Sequence, residues 1–367
     1  MERDRRAGAC EITHMDTASG NFFLHESSGP SLGEGNTPLL SSLRIGRALG
    51  LSDLRFKWEG ANPSGSYKDR FAYAAVARMI ERGIRLCLGT SSGNTGAALA
   101  AYCARSEIRC VMAIVEGAPE EKLLQMRAYG ARLVRIRGFG ADPDHTVTVM
   151  EGLRSLAAEW GASLEISAYR FSPVGLAGVE SLGCELAFQT GRAPAHVFSP
   201  AGGGGLTLAI ARGLASVGSP AAVHCVQPAG NDTIVSALQK GAVHACPVIS
   251  TTQISGLQVG SVLDGDAVIA ACRASGGMGF TVEDDEVFEW QARLAHEEGI
   301  FTEPAGAVAL AGAAAAARCG AIDPSSPVVC VVTGSGFKDG ARLVRMSGSN
   351  PVPIVPDFAA FCRCLEE

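Results

Sequence analysis

The sequence predicts an α/β protein built from open, twisted, mostly parallel sheets with helices on both faces. Short apolar runs rich in β-branched residues alternate with alanine-rich segments of helical periodicity, which is the pattern of parallel strands joined by helices. Strand ends run repeatedly into Gly, Ser or Thr before a helix begins, and open α/β sheets bind ligands at such corners. The chain of 367 residues is long enough for two domains.

The alternation of these runs gives the expected elements in order. Strands are expected at 85–90, 109–115, 131–136, 196–201, 222–227 and 328–334. Helices are expected at 68–82, 94–105, 119–129, 144–160, 174–190, 205–217, 284–298 and 304–319. Three prolines after Ser349 favour an extended arm or a partner contact at the C-terminus.

Composition and charge argue against several classes of function. A net charge of −6 does not favour a nucleic-acid surface, which needs clustered Lys and Arg. No stretch of 18 apolar residues occurs without a polar, charged or glycine break, so no membrane contact is expected. The twelve cysteines are mostly scattered singly and the histidines lack ligand spacing, so we expect free thiols and no metal site. A reducing cytoplasm fits these features.

Four consecutive glycines, Gly202, Gly203, Gly204 and Gly205, stand between an apolar strand and a helix that is expected to begin at Leu206. Such glycines let backbone N–H groups converge at a helix N-terminus, where the helix dipole favours an anion. No Lys-Ser or Lys-Thr follows them, and the spacing is not Gly-x-Gly-x-x-Gly, so a nucleotide or dinucleotide site is not favoured. The stretch predicts a site for a single small phosphate, with a flexible surface turn as the alternative.

A second glycine-containing corner, TSSGNTG at 90–96, precedes an alanine-rich helix. It holds hydroxyl, glycine and amide residues in a row: Ser91, Ser92, Gly93, Asn94 and Thr95. Hydroxyls and the free amides of a helix start suit a carboxylate, whereas an ordinary N-cap needs only one such residue. The segment therefore predicts a carboxylate-binding loop.

Lys68 follows the turn-forming run Ser64-Gly65-Ser66 and begins an expected helix. The positive end of the helix dipole disfavours the charged amine, which makes this lysine a candidate Schiff-base nucleophile. On position alone, a solvated lysine fits as well. A lysine beside a small-phosphate site and a carboxylate loop predicts pyridoxal 5′-phosphate as the cofactor and a small amino acid as the substrate.

Six motifs in order carry a resemblance to a known family: GEGNTPL (33–39), NPSGSYKDR (62–70), TSSGNTGAALAAY (90–102), AGGGGL (201–206), EPAGAVALAG (303–312) and VTGSGFKD (332–339). They resemble the fold-type-II pyridoxal-phosphate enzymes, which include threonine synthase, serine/threonine dehydratase, cysteine synthase and the tryptophan synthase β chain. The resemblance implies a tryptophan-synthase-β-like fold of two lobes and a homodimer. We expect a smaller lobe at 46–172 carrying Lys68 and the 90–96 loop. A larger, cofactor-binding lobe is expected at 1–45 plus 173–350, with a tail at 351–367.

The resemblance also implies roles for individual residues. Lys68 matches the lysine that holds the cofactor and moves the Cα proton, and the glycines 202–205 with Leu206 match the phosphate loop. Asn94 matches the asparagine at the cofactor's 3-oxygen, and 91–95 match the substrate carboxylate loop. Thr333 matches the hydroxyl residue beside the pyridine nitrogen, which leaves that nitrogen unprotonated and suits elimination or replacement at Cβ or Cγ.

The resemblance leaves the reaction open. The motifs at 33–39, 62–70 and 332–339 look most like threonine synthase, but Gly175 and Gln258 stand where that enzyme carries phosphate-binding arginines. GLAG, AGGGGL, ISGLQVG and EPAGA look like serine/threonine dehydratase. A threonine-synthase-like enzyme, or a paralogue acting on a differently substituted amino acid, is the leading hypothesis. The dehydratase and a non-catalytic binding protein are the alternatives.

Two further expectations concern charged neighbours of these motifs. Asp69 and Arg70 are expected to pair close to Lys68. Glu303 either faces the active site or is an acidic residue favoured by the positive end of a helix dipole.

Overall fold

The protein is described by a computed structural model, which covers residues 14–16, 21–23, 29–190, 196–348 and 352–365. The strands are β1 His14–Asp16, β2 Asn21–Phe23, β3 Leu39–Ser41, β4 Leu54–Trp58, β5 Leu86–Gly89, β6 Arg109–Val115, β7 Arg132–Ile136, β8 Ser163–Glu165, β9 His196–Pro200, β10 Ala222–Pro228, β11 Gly279–Val282 and β12 Val328–Val332. The helices are α1 Ile45–Leu49, α2 Lys68–Glu81, α3 Asn94–Arg105, α4 Glu120–Ala128, α5 Pro143–Glu159, α6 Pro173–Gln189, α7 Gly205–Ser216, α8 Val235–Gln239, α9 Gly265–Ala274, α10 Asp284–Glu298, α11 Pro304–Arg318, α12 Gly340–Ser347 and α13 Phe358–Arg363.

Two mostly parallel sheets organise the described residues. The larger sheet has the strand order β11-β10-β9-β12-β4-β3, and only its β3–β4 pair is antiparallel. The smaller sheet has the order β7-β6-β5-β8 and is parallel throughout. The short strands β1 and β2 pair as a separate antiparallel ribbon. The predicted α/β class, with mostly parallel sheets covered by helices, is confirmed.

The central strands are apolar because helices cover both faces of each sheet. Every residue of β12 is buried, and so is every residue of β5. Strands of this kind appear in a sequence as continuous apolar runs, whereas a strand with one solvated face alternates. This explains why the sequence indicates the positions of β5, β6, β9, β10 and β12.

Strand β4 differs from the sequence prediction. It lies inside the range 46–172 that we assign to the smaller lobe, yet it pairs with β12 of the larger sheet in the register Leu54↔Val328. Its sequence, LRFKW, alternates apolar and cationic residues, which is the pattern of a strand with one solvated face. Lys57 is nevertheless fully buried, because its Nζ donates to Glu185 and Gln189 on α6 at 2.8 and 2.7 Å. Strand β4 therefore joins the larger sheet, and the lobe boundaries stay a prediction.

A buried network of charged side chains connects β4, α2 and α6. Arg70 Nε donates to Glu59 Oε2 at 2.8 Å, and its Nη1 donates to Glu185 Oε1 at 2.6 Å. Lys57 adds a second cation on Glu185, at 2.8 Å. Burial alone would raise the pKa of Glu185, but Arg70 and then Lys57 hold it below its usual range. Such a network is costly to break, because removing one partner leaves a buried charge unpaired.

The expected pairing of Asp69 with Arg70 is wrong. Asp69 instead accepts hydrogen bonds from the backbone N–H and the hydroxyl of Ser64, at 2.8 and 2.7 Å. Burial raises the pKa of Asp69, and the two bonds from Ser64 oppose that shift. Asp69 therefore fixes the turn in front of Lys68, while Arg70 points away into the buried network.

The C-terminal segment contains more structure than its prolines indicate. Within 352–365 the short helix α13 is present, and the aromatic rings of Phe358 and Phe361 stack with centroids 5.9 Å apart. In the described part of the chain, no helix has both the length and the apolar character needed to cross a membrane.

Candidate active site

A cavity of about 690 Å³ opens where the carboxyl ends of β5, β9 and β12 meet the starts of α2, α3 and α7. Its wall includes every residue that the sequence analysis selects for the site: Lys68, Ser91, Ser92, Gly93, Asn94, Thr95, Gly202, Gly203, Gly204, Gly205, Leu206 and Thr333. These positions come from four separate stretches of sequence. The fold brings them to the side of the sheets where parallel strands end and ligands commonly bind.

Lys68 is the first residue of α2, and its Nζ donates a hydrogen bond to Ser167 Oγ at 2.6 Å. The ammonium also lies 4.5 Å from the ring centre of Tyr67. Burial lowers the pKa of Lys68 to about 7, although Glu303 and Asp264 oppose this shift. A large share of this amine is therefore neutral near pH 7, which is the form that attacks a carbonyl carbon.

The glycine loop is a tight turn from β9 into α7. Gly204 has φ +96°, and a Cβ at this position would lie 2.7 Å from Val268 Cγ2. Gln227 Nε2 and the Asp264 amide donate to the carbonyls of residues 202 and 203, at 3.2 and 3.1 Å. These carbonyls are held by the protein, whereas the first amides of α7 have no acceptor within the helix. The loop has the properties of a phosphate cradle.

The carboxylate loop connects β5 to α3. Ser91 Oγ accepts from the Gly93 amide at 3.2 Å, which shapes the turn ahead of Asn94, the first residue of α3. Ser91 and Ser92 are half-buried, and Thr95 is buried. Hydroxyls and helix-start amides thus lie along one stretch of the cavity wall.

Thr333 directly follows β12 and carries a buried hydroxyl without a hydrogen-bond partner among the described residues. Buried polar atoms normally have partners, and an unpaired one costs about 1–3 kcal/mol. The pyridine nitrogen of pyridoxal 5′-phosphate would supply the missing hydrogen-bond acceptor. With the glycine cradle and Lys68, this hydroxyl shows that the cavity fits the cofactor.

Glu303 faces the cavity as well as preceding α11, so both alternatives for it hold. It is buried, and its Oε1 accepts from Asn94 Nδ2 at 2.7 Å. Burial raises the pKa of Glu303 to about 7, against the opposing effects of Asn94, Lys338 and Lys122. The hydrogen bond from Asn94 to this carboxyl group fixes the orientation of the Asn94 amide.

Sequence reasoning missed several polar residues of the cavity wall, in particular Lys122, Ser167, Ser255 and Lys338. Lys338 lies inside the VTGSGFKD motif, so its position gave a signal. Lys122 and Ser167 lie in a helix and a turn without a distinctive local pattern. Only the packing of the two sheets brings them to the cavity.

Three cysteines that are distant in sequence converge in the core of the smaller sheet. The Sγ atoms of Cys87, Cys103 and Cys110 lie within 4.8 Å of one another, and all three residues are buried. Cys87 and Cys110 are partners on adjacent parallel strands. Their separation in sequence gave no sign of this cluster, and the absence of a metal site stays a prediction.

Comparison with known proteins agrees with the geometry. Residues 30–334 match the model of the family described as "Pyridoxal-phosphate dependent enzyme". Threonine synthase of Methanocaldococcus jannaschii is 33% identical over 351 residues, covering 93% of this chain and 84% of that protein. Threonine synthase of Halalkalibacterium halodurans is 32% identical over 333 residues, covering 90% of each.

Solved structures show the same fold. Threonine deaminase isoform 2 of Solanum lycopersicum, in its processed form, superposes with a TM-score of 0.71 at 21% identity, covering 85% of this chain and 87% of that one. Serine racemase of Dictyostelium discoideum gives a TM-score of 0.68 at 22% identity, covering 82% and 92%. Fold and site together define a cofactor-dependent enzyme of amino-acid metabolism. The chain belongs to the pyridoxal-phosphate-dependent enzyme family of fold type II, and its cofactor is pyridoxal 5′-phosphate.

Proposed function

We propose that the protein is a threonine-synthase-like lyase that catalyses elimination or replacement at Cβ or Cγ of a small α-amino acid. One observation carries the proposal. A single cavity contains an amine of lowered pKa, a hydroxyl-rich loop at a helix start, a glycine cradle and an unpaired buried hydroxyl. O-phosphohomoserine, converted to threonine, or a differently substituted amino acid is the proposed substrate.

Each part of the cavity has a proposed task. Bound pyridoxal 5′-phosphate supplies an electron sink for negative charge that develops at Cα of the amino acid. The glycines 202–205 hold its phosphate, and Thr333 donates to its ring nitrogen. The 91–95 loop holds the substrate carboxylate, and the Asn94 amide is aimed by Glu303. Lys68 binds the cofactor and moves the Cα proton, with Ser167 Oγ as a hydrogen-bond acceptor for its Nζ.

The relatives support the threonine-synthase-like reaction over its alternatives. The two threonine synthases compared above are 32–33% identical to this chain over most of its length. Serine/threonine dehydratase is the second candidate, because Gly175 and Gln258 stand in place of two phosphate-binding arginines. A non-catalytic protein would have no need for Lys68 with its lowered pKa or for the unpaired hydroxyl of Thr333.

Three further parts of the proposal rest on the family resemblance. We propose two lobes, with the smaller one beginning after Trp58 rather than at residue 46. The family's assembly supports a homodimer. A cytoplasmic location is proposed because the scattered free cysteines suit a reducing compartment.

The test is the visible absorbance spectrum of the purified protein with pyridoxal 5′-phosphate. We expect an absorbance band of the lysine-bound cofactor that is absent in Lys68→Ala. Addition of O-phosphohomoserine should change the band and release phosphate, with formation of threonine. Release of a 2-oxo acid from serine or threonine would instead establish the dehydratase, and the absence of any band would contradict the proposal.

A further inference from the structure

The two positions where the family resemblance places phosphate-binding arginines do not supply charge in this chain. Gly175 lies on α6, where a Cβ would be 2.4 Å from Phe71 Cε2, so the packing of α6 on α2 leaves no room for a side chain. Gln258 lines the cavity, but its Nε2 donates to the Thr252 carbonyl at 2.8 Å. An anionic group of a substrate would need a different source of positive charge.

Two lysines in the wall of the same cavity offer that charge. Lys122 projects from α4, and Lys338 lies shortly after β12. In the described part of the chain, Lys68, Lys122 and Lys338 are the cations of the cavity wall. Lys68 is committed to the cofactor, so the other two remain for the substrate.

The close hydrogen-bond partners of Lys122 and Lys338 are neutral groups. Lys122 Nζ donates to Ser255 Oγ, and the nearest carboxylate oxygen, on Asp339, is 3.7 Å away. Lys338 Nζ donates to Gln125 Oε1 at 2.6 Å, and no carboxylate of the described residues lies within 4 Å of it. A neutral acceptor orients an ammonium group without cancelling its charge, and each ammonium carries three donors. Both groups therefore keep N–H donors for a ligand. Burial lowers the pKa of Lys338, while Glu303 and Asp69 oppose that shift.

The acidic groups close to these lysines, on Glu303, Asp339 and Asp69, each accept a hydrogen bond from another group. Glu303 bonds to the Asn94 amide, and burial raises its pKa to about 7, so it is only partly charged at neutral pH. Asp339 accepts a hydrogen bond from the Arg342 amide at 3.1 Å and is not part of the cavity wall. Both lysines therefore line the cavity and share their acidic neighbours with other hydrogen-bond donors.

We propose that Lys122 and Lys338 bind an anionic group on the side chain of the amino-acid substrate, such as a phosphate ester. This rests on the proposed function and narrows it to α-amino acids with an anionic side chain, of which O-phosphohomoserine is one. The 91–95 loop holds the carboxylate of the substrate, and the two lysines hold its other charged end. Serine and threonine lack the group that these lysines recognise.

The test compares two amino acids that differ by the phosphate alone. The holoenzyme is titrated with O-phospho-L-homoserine and with L-homoserine, and binding is followed by the visible absorbance of the cofactor. We expect the phosphorylated amino acid to bind at least about 30-fold more tightly, because charge-assisted bonds to two lysines are formed. Lys122→Met and Lys338→Met should each weaken its binding about 10-fold or more and leave L-homoserine within about threefold.

Controls separate recognition from a structural role. Lys240→Met removes an exposed lysine outside the cavity wall and should preserve the preference. Lys122→Arg keeps the charge and should restore much of the preference. If the methionine variants weaken both amino acids equally, the lysines only hold α4 in place, and the proposal is overturned.

The experiment separates a failure of the anion-site proposal from a failure of the proposed function. If the wild-type protein responds to both amino acids with equal affinity, the proposed function survives and the anion site does not. If neither amino acid changes the spectrum, calorimetry of the holoenzyme with inorganic phosphate decides. Binding that is lost in both methionine variants would support the anion site, and no binding would overturn it.

Discussion

The chemical character of the site depends on a few side chains whose ionisation or pairing is altered by burial. Lys68 and Glu303 are buried away from water. The buried hydroxyl of Thr333 has no hydrogen-bond partner among the described residues. For Lys68 the consequence is an amine that is neutral to a large extent near pH 7, although a solvated lysine is almost fully charged there. This property belongs to the residue and its immediate surroundings, so it is measurable without substrate.

Competitive acylation with a small reagent tests the pKa of Lys68 in the cofactor-free protein. Because burial lowers its pKa to about 7, acylation of Lys68 should be half-maximal close to pH 7 and nearly complete by pH 9. Peptide mapping by mass spectrometry gives the extent of modification, with the exposed Lys240 as the internal reference. Half-maximal acylation of Lys68 above pH 9 would contradict the lowered pKa.

Single residues also show what sequence can and cannot predict about the site. Residues within continuous motifs, such as Asn94 and Thr333, are predicted to line the site because their neighbours in sequence shape their turns, and both lie in the cavity wall. Lys122 and Ser167 reach the cavity only through packing between the two sheets, which leaves no local pattern. The sequence pairs Arg70 with its neighbour Asp69, but its actual partners are Glu59 and, on α6, Glu185.

Among the helices and strands, the sequence predicts best those whose side chains are buried as the apolar pattern indicates and whose ends carry characteristic residues. Helix α10 is predicted at its observed bounds, Asp284–Glu298, because three acidic residues open it and Gly299 follows it with φ +69°. Strand β4 escapes prediction, since its two cations indicate solvent exposure and the carboxylate that allows Lys57 to be buried, on Glu185, is distant in sequence. Strand β11 escapes it because it has only four residues and begins with Gly279.

Helix α7 offers a matched test of the glycine cradle, because glycines with positive φ stand at both of its ends. Gly204→Ala forces a side chain into a left-handed conformation and against Val268 Cγ2 at 2.7 Å. We expect a loss of about 2–4 kcal/mol in unfolding free energy and weaker cofactor binding. Urea unfolding and a cofactor titration measure the two effects.

The control at the other end of α7 is Gly218→Ala. Gly218 has φ +69°, and a Cβ there would meet no atom within 4 Å, so only backbone strain of about 1–2 kcal/mol is expected. Cofactor affinity should remain unchanged in this variant. Equal losses of affinity in both variants would show that the cradle does not depend on the close approach at Gly204.

At the scale of the whole molecule, the buried network joins the larger sheet to the helix that carries Lys68. Lys57 belongs to β4, Arg70 to α2 and Glu185 to α6, and their side chains are at most 3% exposed. Arg70 follows Lys68 by two residues on the same helix. The network therefore fixes the angle at which α2 presents Lys68 to the cavity, and its strength is a property of the assembled fold.

Glu185→Gln tests this network through the pH dependence of stability. Removing one charge leaves Arg70 and Lys57 without a shared counter-ion, so we expect a loss of about 3–5 kcal/mol in unfolding free energy at pH 7. The folded-state pKa of Glu185 lies below its ordinary value of 4.5, so its contribution is complete above pH 4.5 and is lost as pH falls through the lowered value. The difference between wild type and variant should therefore shrink in acid.

Urea unfolding from pH 7 to pH 3 measures this difference, with Glu81→Gln as the control. Glu81 pairs with Arg78 on the solvent side of α2, where the two side chains are 63% and 44% exposed. Such surface pairs contribute little, so this variant should follow the wild-type curve at every pH. A Glu185→Gln variant as stable as wild type at pH 7 would show that a neutral amide satisfies the network. The orientation of α2, and of Lys68 with it, would then depend on hydrogen bonding and apolar packing rather than on the buried charges.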